Sequence, residues 1–123
     1  MADLTKRTTL EVLEHHNHYL QAGNLEETLA DYNEDSVIIN MGGPVGGIDN
    51  LREFFIDDIE NCLPPETTYE TLQQYVHGDM AYVTWKAESP YYSVPYGTDT
   101  FFIKDGKIVK QTFAGILIKK ETK

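Results

Sequence analysis

Apolar residues in the first half of the chain recur at the spacing of a helix face. This pattern predicts a helix over residues 5–22, followed after Gly23 by a short helix with Asn24 as its N-cap. A third helix is predicted over residues 48–61, and it cannot continue past Pro64 and Pro65. The apolar stripes of the three helices are Leu10, Val12, Leu13, His16, Tyr19 and Leu20, then Leu25, Leu29 and Tyr32, then Ile48, Leu51, Phe55 and Ile59.

Elsewhere the period of the pattern is that of β-strands. Residues 36–41 form a β-branched run that predicts a strand ending in the glycine-rich turn 42–47. Four further strands are predicted over 67–77, 80–89, 96–104 and 107–118, with hairpin turns at Gly78 and at Asp105-Gly106. Residues 91–95 are predicted to be a longer connection. Helices first and a strand meander afterwards indicate the α+β class, in one domain spanning residues 1–123.

Composition excludes several classes of protein. A chain of 123 residues supports one core, and a net charge of −10 argues against binding nucleic acid or an anionic membrane surface. The longest apolar runs are a few residues, so no bilayer-spanning segment is predicted. The N-terminal residues lack the apolar region of a signal peptide. Because Cys62 is the single cysteine, no internal disulfide is expected, and we expect a cytoplasmic protein.

Several short segments carry a resemblance to a known superfamily. The chain resembles the group that includes nuclear transport factor 2, the SnoaL-like polyketide cyclases and ketosteroid isomerase. The resemblance implies a cystatin-like cone, in which three N-terminal helices pack on a curved mixed or antiparallel sheet around a pocket. It also implies a homodimer formed through the outer sheet face. The segments that carry it are Ala22-Gly23-Asn24-Leu25-Glu26, residues 32–37, residues 42–47 with the helix after them, and Asp105-Gly106-Lys107-Ile108.

Three polar residues are candidates for chemistry inside such a pocket. His16 lies in the middle of the first apolar stripe, where a neutral imidazole can donate or accept a proton near pH 7. Asp99 shares strand parity with Phe101 and Ile103, so its carboxyl group is predicted to face the core and to be paired, hydrogen-bonded or protonated. Asn40 ends the first strand and could orient a carbonyl or hydroxyl group.

Each candidate also has a purely structural interpretation. His16 could be a core histidine bonded to a carbonyl or a tyrosine, Asp99 could bond a neighbouring turn, and Asn40 could cap the turn after the first strand. His15 and His18 lie towards the edges of the stripe. Adjacent helical positions do not converge on one ion, so no metal site is predicted there.

The resemblance to ketosteroid isomerase implies roles for the same three positions. His16 falls where that enzyme has its oxyanion-hole tyrosine, and Asp99 where it has its second, protonated aspartate. Asn40 replaces the proton-shuttling aspartate, and an amide cannot act as a base at neutral pH. The hypothesis is therefore that His16 is the base, with Asp99 orienting its imidazole and Asn40 holding the substrate.

Aromatic residues complete the predicted pocket. Trp85, on the inward parity of its strand, and Tyr19, Tyr32 and Tyr96 are predicted as a set to contact an apolar substrate, although a single aromatic residue more often serves ordinary packing.

The predicted function is a small-molecule pocket protein, with cofactor-independent proton transfer on an apolar carbonyl or hydroxyl compound: isomerisation, cyclisation or dehydration. The alternative is a non-catalytic ligand-binding or dimeric interaction module. A limonene-type epoxide hydrolase needs an Asp-Arg-Asp arrangement, and the chain offers only Arg7 and Arg52 for it.

Overall fold

The first helix begins at a capping box rather than at residue 5. In the computed structural model, which describes residues 3–121, α1 spans Thr9–Gln21. The Thr8 side chain accepts from the Glu11 N–H, and the Glu11 carboxylate accepts from the Thr8 N–H. Leu4–Lys6 forms a separate 3₁₀ turn. The predicted continuous helix over 5–22 is therefore interrupted, because the extended backbone of Thr8 is needed for capping.

Two further helices follow. Asn24 caps α2, Leu25–Leu29, by accepting from the Glu27 N–H, as its position after Gly23 predicted. The third helix, α3, spans Ile48–Asp57 and passes directly into a π-helical turn, Asp58–Cys62. The Leu63 N–H closes this turn by donating to the Asp58 carbonyl over 2.8 Å. Pro64 and Pro65 then prevent further helix.

Six strands form one mixed sheet. They are β1 Val37–Asn40, β2 Gly43–Gly46, β3 Thr68–His77, β4 Met80–Glu88, β5 Tyr92–Lys104 and β6 Lys107–Lys119. The strand order is β2-β1-β6-β5-β4-β3, and only the β1–β6 pair is parallel. The α+β class and the curved sheet packed by three helices are confirmed. Among the described residues, no helix has the length and apolarity to cross a membrane.

Two segments predicted as connections are strands. Residues 43–46 pair with β1 as β2, although they were predicted to be a turn. Residues 92–95 belong to β5, where Val94 is buried opposite Ala87. Pro95 is accommodated because the β5–β6 register shifts between Ser93 and Tyr96, at a place where a proline need not donate to the ladder.

A buried ion pair ties the N-terminus to the helices and the last hairpin. Asp31 is fully buried and receives Arg7 Nη1 at 2.8 Å, while His15 Nδ1 lies 2.8 Å from the same carboxylate. Arg7 Nη2 also donates to the Gly106 carbonyl over 2.7 Å. The guanidinium group thus joins three segments that are distant in sequence, and removing it would leave a buried carboxylate without its main partner.

We expect Arg7→Leu to lower the free energy of unfolding by about 3 kcal/mol, since one partner of a buried pair is lost. Urea denaturation followed by circular dichroism measures this. Arg52→Leu is the matched control, because Arg52 pairs with Glu26 at the surface and its loss should change stability little. Equal, small effects of the two substitutions would contradict the structural role given to Arg7.

Candidate functional site

A cavity of about 110 Å³ lies between the helices and the inner face of β3 to β6. Most of the surface of its walls is apolar, although nine of the sixteen lining residues carry a polar or ionisable group. Such a combination is typical of small-molecule sites. The lining residues with polar or ionisable side chains are His16, Asn17, Gln21, Asp58, Tyr69, Thr71, Trp85, Asp99 and Gln111.

The strand register places Asp99 on the cavity floor. Asp99 lies opposite Val83 on one side and Phe113 on the other, so its carboxyl group belongs to an apolar row of the sheet. Trp85 Nε1 donates to Asp99 Oδ2 over 2.8 Å, and Gln111 Nε2 donates to Oδ1 over 3.1 Å. Burial raises the pKa of Asp99 to about 6, against the lowering effect of these two donors.

Gln111 is held in one orientation by Tyr32. The Tyr32 hydroxyl donates to Gln111 Oε1, which leaves the Gln111 amide N–H free to point at Asp99. Burial raises the pKa of Tyr32 well above its usual range, so this hydroxyl remains a donor. We call the chain Tyr32, Gln111, Asp99 and Trp85 the carboxyl relay. It connects the segment after α2 to three strands.

A glycine allows Trp85 to reach Asp99. A Cβ on Gly97, which lies opposite Trp85 in the register, would sit 2.7 Å from two atoms of the indole ring. The ring instead lies over the glycine backbone and stacks on Phe113, with centroids 6.1 Å apart and planes 20° apart. Because real side chains do not approach this closely, the position of Trp85 depends on Gly97 having no side chain.

His16 lies in an aromatic cage at the same cavity. Its ring centroid lies 5.3 Å from Phe101, 6.0 Å from Tyr32 and 6.5 Å from Phe55. Burial lowers its pKa to about 4, so the imidazole is neutral at pH 7. Within residues 3–121, its buried Nδ1 atom has no hydrogen-bond partner. A histidine in this state is a weak base.

Asp58 is the second carboxyl group of the cavity. It is the first residue of the π-helical turn and lines the cavity together with His16 and Asp99. Burial, and then the nearby charges of Asp99 and Asp57, raise the pKa of Asp58 to about 7. The cavity therefore holds two carboxyl groups, and both are difficult to ionise.

The structure brings together part of the predicted site. His16, Asp99 and Trp85 line the cavity, and Tyr32 joins them through Gln111. Asp99 bonds Trp85 and Gln111, and the expected bond that would orient His16 is replaced by these two.

Three predicted site residues lie elsewhere. Asn40 is not among the cavity-lining residues, and its side chain accepts from the Gly42 N–H over 2.7 Å, which is the turn-capping alternative. Tyr19 packs its ring against His15 and His18, with centroids 4.6 and 4.7 Å away. Tyr96 is 41% exposed and has the outward parity of β5, because the inward-facing Gly97 and Asp99 have the opposite parity.

Sequence reasoning missed six of the polar lining residues, and two of the six, Asp58 and Gln111, bear on the chemistry of the cavity. Asp58 lies seven residues after Leu51 and three after Phe55, so it occupies the apolar stripe of α3, and this spacing could have revealed it. Gln111 shares parity with Phe113 on an otherwise apolar strand face. Its bond to Tyr32 spans 79 positions of sequence, and no local pattern encodes that distance.

The arrangement suits proton transfer in an apolar environment. One carboxyl group is held by two neutral N–H donors, a second receives none in the described part of the chain, and a neutral imidazole lies beside them. Over residues 3–121, no three His, Cys, Asp or Glu side chains are grouped so as to hold a metal ion.

Comparison with known proteins agrees with the fold described above. The SnoaL-like domain family matches residues 13–111, which is most of the chain. The chain belongs to this family. No curated protein sequence matches it. The match runs from within α1 to Gln111 in β6, so it includes every residue of the carboxyl relay.

Solved structures share the fold of this SnoaL-like protein at low sequence identity. An NTF2-like protein of unknown function from Mesorhizobium loti is 21% identical, with a TM-score of 0.73 over 88% of this chain and 90% of that one. A candidate ketosteroid isomerase from Kribbella flavida is 14% identical, with a TM-score of 0.74 over 94% and 82%. A candidate polyketide cyclase from Sinorhizobium meliloti is 19% identical, with a TM-score of 0.68 over 84% and 93%. These likenesses establish the fold.

We expect Gly97→Ala to displace the Trp85 ring and break its bond to Asp99. Because Trp85 is the single tryptophan, its fluorescence spectrum and its quenching by acrylamide report the change directly. Gly46→Ala is the matched control, since the nearest side-chain atom to its new Cβ would be Val37 Cγ2 at 3.4 Å, an ordinary contact. Identical Trp85 spectra in the wild type and Gly97→Ala would refute the stated dependence on Gly97.

Proposed function

We propose that this SnoaL-like protein catalyses cofactor-independent proton transfer on a small apolar carbonyl or hydroxyl compound. The observation that carries the proposal is the Asp99 carboxyl group on the floor of an aromatic cavity, with a pKa raised to about 6. A carboxylate that is desolvated and fixed by Trp85 and Gln111 is a stronger and better-aimed proton acceptor than one in water. Isomerisation, cyclisation and dehydration all begin with such a step.

Asp99, rather than His16, takes the part of the base in this proposal. A base with a pKa near the working pH combines a useful ionised fraction with proton affinity, and His16, with a pKa of about 4, has little affinity for a proton at neutral pH. His16 instead contributes a neutral polar group to the wall of the cavity. Asn40 has no role in the proposal, because its side chain bonds the turn at Gly42.

The size of the cavity limits the substrate class. A cavity of roughly 150 Å³ holds a benzene molecule, whereas drug-sized ligands occupy roughly 300–1,000 Å³. The cavity is partly open to solvent, so its 110 Å³ limits the group that lies inside to one small ring or a short branched chain. Stacked Trp85 and Phe113 favour a flat group.

A test follows the hydrogens next to the carbonyl group of cyclohexanone as they exchange with deuterium oxide, by proton NMR. We expect the protein to accelerate exchange, and Asp99→Asn to reduce the acceleration by about 100-fold, the usual contribution of a positioned base. Asp105→Asn is the matched control, since Asp105 is an exposed carboxylate in the β5–β6 turn.

Exchange at the buffer rate with cyclohexanone and with acetophenone would contradict the proposal. Saturable binding of these ketones without exchange would favour the alternative, a non-catalytic ligand-binding module, which the aromatic lining of the cavity also suits. Isothermal calorimetry on the same samples separates the two outcomes.

We also propose that the protein forms a homodimer through the outer face of the sheet. Two adjacent cross-strand rows of this face, Tyr75–Tyr82–Thr100–Thr112 and Gln73–Thr84–Thr98–Ala114, contain no acidic residue, although the chain has 20. Ile116 and Tyr75 expose 55% and 61% of their surface there. A nearly uncharged, partly apolar patch on a chain of net charge −10 supports self-association.

We expect Ile116→Glu to convert dimer to monomer in sedimentation velocity, because it places a like charge on both copies of the patch. Leu10→Glu, an equivalent change at an exposed leucine of α1, should leave the dimer intact. A wild-type protein that sediments as a monomer at micromolar concentration would contradict the dimer.

A further inference from the structure

The π-helical turn holds the backbone of Asp58 from both sides. The Asp58 carbonyl accepts the Leu63 N–H over 2.8 Å, and its own N–H donates into the last turn of α3. The turn is also fixed to the sheet, because the buried Ser89 hydroxyl donates to the Cys62 carbonyl over 2.7 Å. Single π-helical turns are frequent at functional sites. Here the turn presents one carboxyl group to the cavity on a rigid support.

Asp58 and Asp99 have opposite hydrogen-bonding environments. Each oxygen of Asp99 accepts an N–H, from Trp85 and from Gln111, and such bonds favour the ionised form. Across residues 3–121, no hydrogen bond or ion pair involves the Asp58 carboxyl group, so no protein group there stabilises its ionised form. Of the two, Asp58 is the group that the geometry leaves protonated.

The other groups around Asp58 strengthen this asymmetry. The ionisable groups near Asp58 are Asp57 at the end of α3 and Cys62 in the π-helical turn. Across the cavity they are Asp99 on β5, Tyr69 on β3 and the neutral His16 on α1. The carboxylates repel a second negative charge, and burial raises the pKa of Cys62 to about 11, so the thiol is uncharged. Among the described residues that line the cavity, none is a lysine or an arginine. No cation is therefore placed to ionise Asp58.

We propose that Asp58 is the general acid of the site and that it hydrogen-bonds and protonates the substrate carbonyl oxygen while Asp99 removes the neighbouring carbon-bound proton. This rests on the proposed function and adds a second catalytic residue to it. It also reverses the role that the resemblance to ketosteroid isomerase implies for Asp99, from protonated donor to carboxylate base.

The step balances without a co-reactant. Asp99 takes the proton as the C–H bond breaks, and that electron pair becomes the C=C bond of an enol. The π pair of the carbonyl group takes the Asp58 proton, so the enol is neutral, Asp58 is a carboxylate and Asp99 is an acid. In the return step Asp99 gives a proton to carbon, at the same or at a conjugated position, and Asp58 recovers the enol proton. Deuterium enters the ketone when the acid proton of Asp99 exchanges with solvent through the partly open cavity before the return step. Net charge in the cavity stays constant throughout, which a low-dielectric site favours.

The pH dependence follows from the two roles. Asp99 must be ionised, so the rate falls as pH drops below about 6, and Asp58 must be protonated, so the rate falls as pH rises above about 7. Because the two groups share one cavity, the two apparent pKa values of this bell-shaped profile describe the pair and not either residue alone. A narrow optimum between these values is expected.

The experiment measures the cyclohexanone exchange rate against pH for the wild type, Asp58→Asn, Asp99→Asn and Asp57→Asn. We expect Asp58→Asn to lose at least about tenfold in rate and to lose the high-pH limb, because an amide can donate a hydrogen bond but no proton. Asp57 is exposed on the same helix end and bonds Asn61, so Asp57→Asn is the matched control: it should keep both limbs, with only the high-pH limb moved to lower pH, because one charge that raises the pKa of Asp58 is gone.

If Asp99→Asn abolishes exchange while Asp58→Asn keeps the wild-type rate and both limbs, the role of Asp58 is overturned and the proposed function survives. If the wild type exchanges no faster than buffer, the proposed function fails. A second measurement then decides for Asp58: carbon-13 NMR titration of the aspartate carboxyl groups in the free protein, assigned with the same variants. We expect Asp58 to keep its proton to higher pH than Asp99, and the opposite order would overturn the inference.

Discussion

The carboxyl relay is the constraint on which the interior of this protein depends. Asp99 lies in an apolar row of the sheet, where an unpaired carboxylate would be very costly. Trp85 and Gln111 each donate a hydrogen bond to one of its oxygens, and the Tyr32 hydroxyl donates to the amide oxygen of Gln111. Because each member is held by the next, the relay fixes the orientation of an indole, an amide and a carboxyl group at once.

A second buried carboxylate shows how different the outcome is when a cation is present. Asp31 is as deeply buried as any residue of the core, but Arg7 and His15 reach it directly and the result is a structural tie between chain segments. The cavity offers Asp58 and Asp99 no such partner. An aspartate is therefore a structural residue at one end of α1 and an ionisable group of the cavity at the other end, because its neighbours differ.

The two carboxyl groups of the cavity differ in the way that acid–base chemistry requires. Donors favour the ionised form of Asp99, and their absence around Asp58 within the described chain favours its protonated form. Such separation of two similar groups by environment is how one site supplies both an acid and a base near neutral pH. One fold hosts several chemistries, so the ionisable groups in the cavity, rather than membership of the family, decide the chemistry.

The sequence by itself determined the fold class, the three helices apart from the start of α1, the hairpins and the inward parity of Asp99, because periodicity and turn chemistry are local. It also placed His16 on the buried face of α1. Only the tertiary structure decided what these residues contact. Tyr32 and Gln111 are 79 positions apart, Trp85 reaches Asp99 only over Gly97, and Asn40 turns away to bond Gly42. The sequence already places Asp58 on the apolar stripe of α3, but its importance depends on the π-helical turn and on the Asp99 carboxyl group across the cavity. Pairings between distant segments follow from packing, which no local pattern specifies.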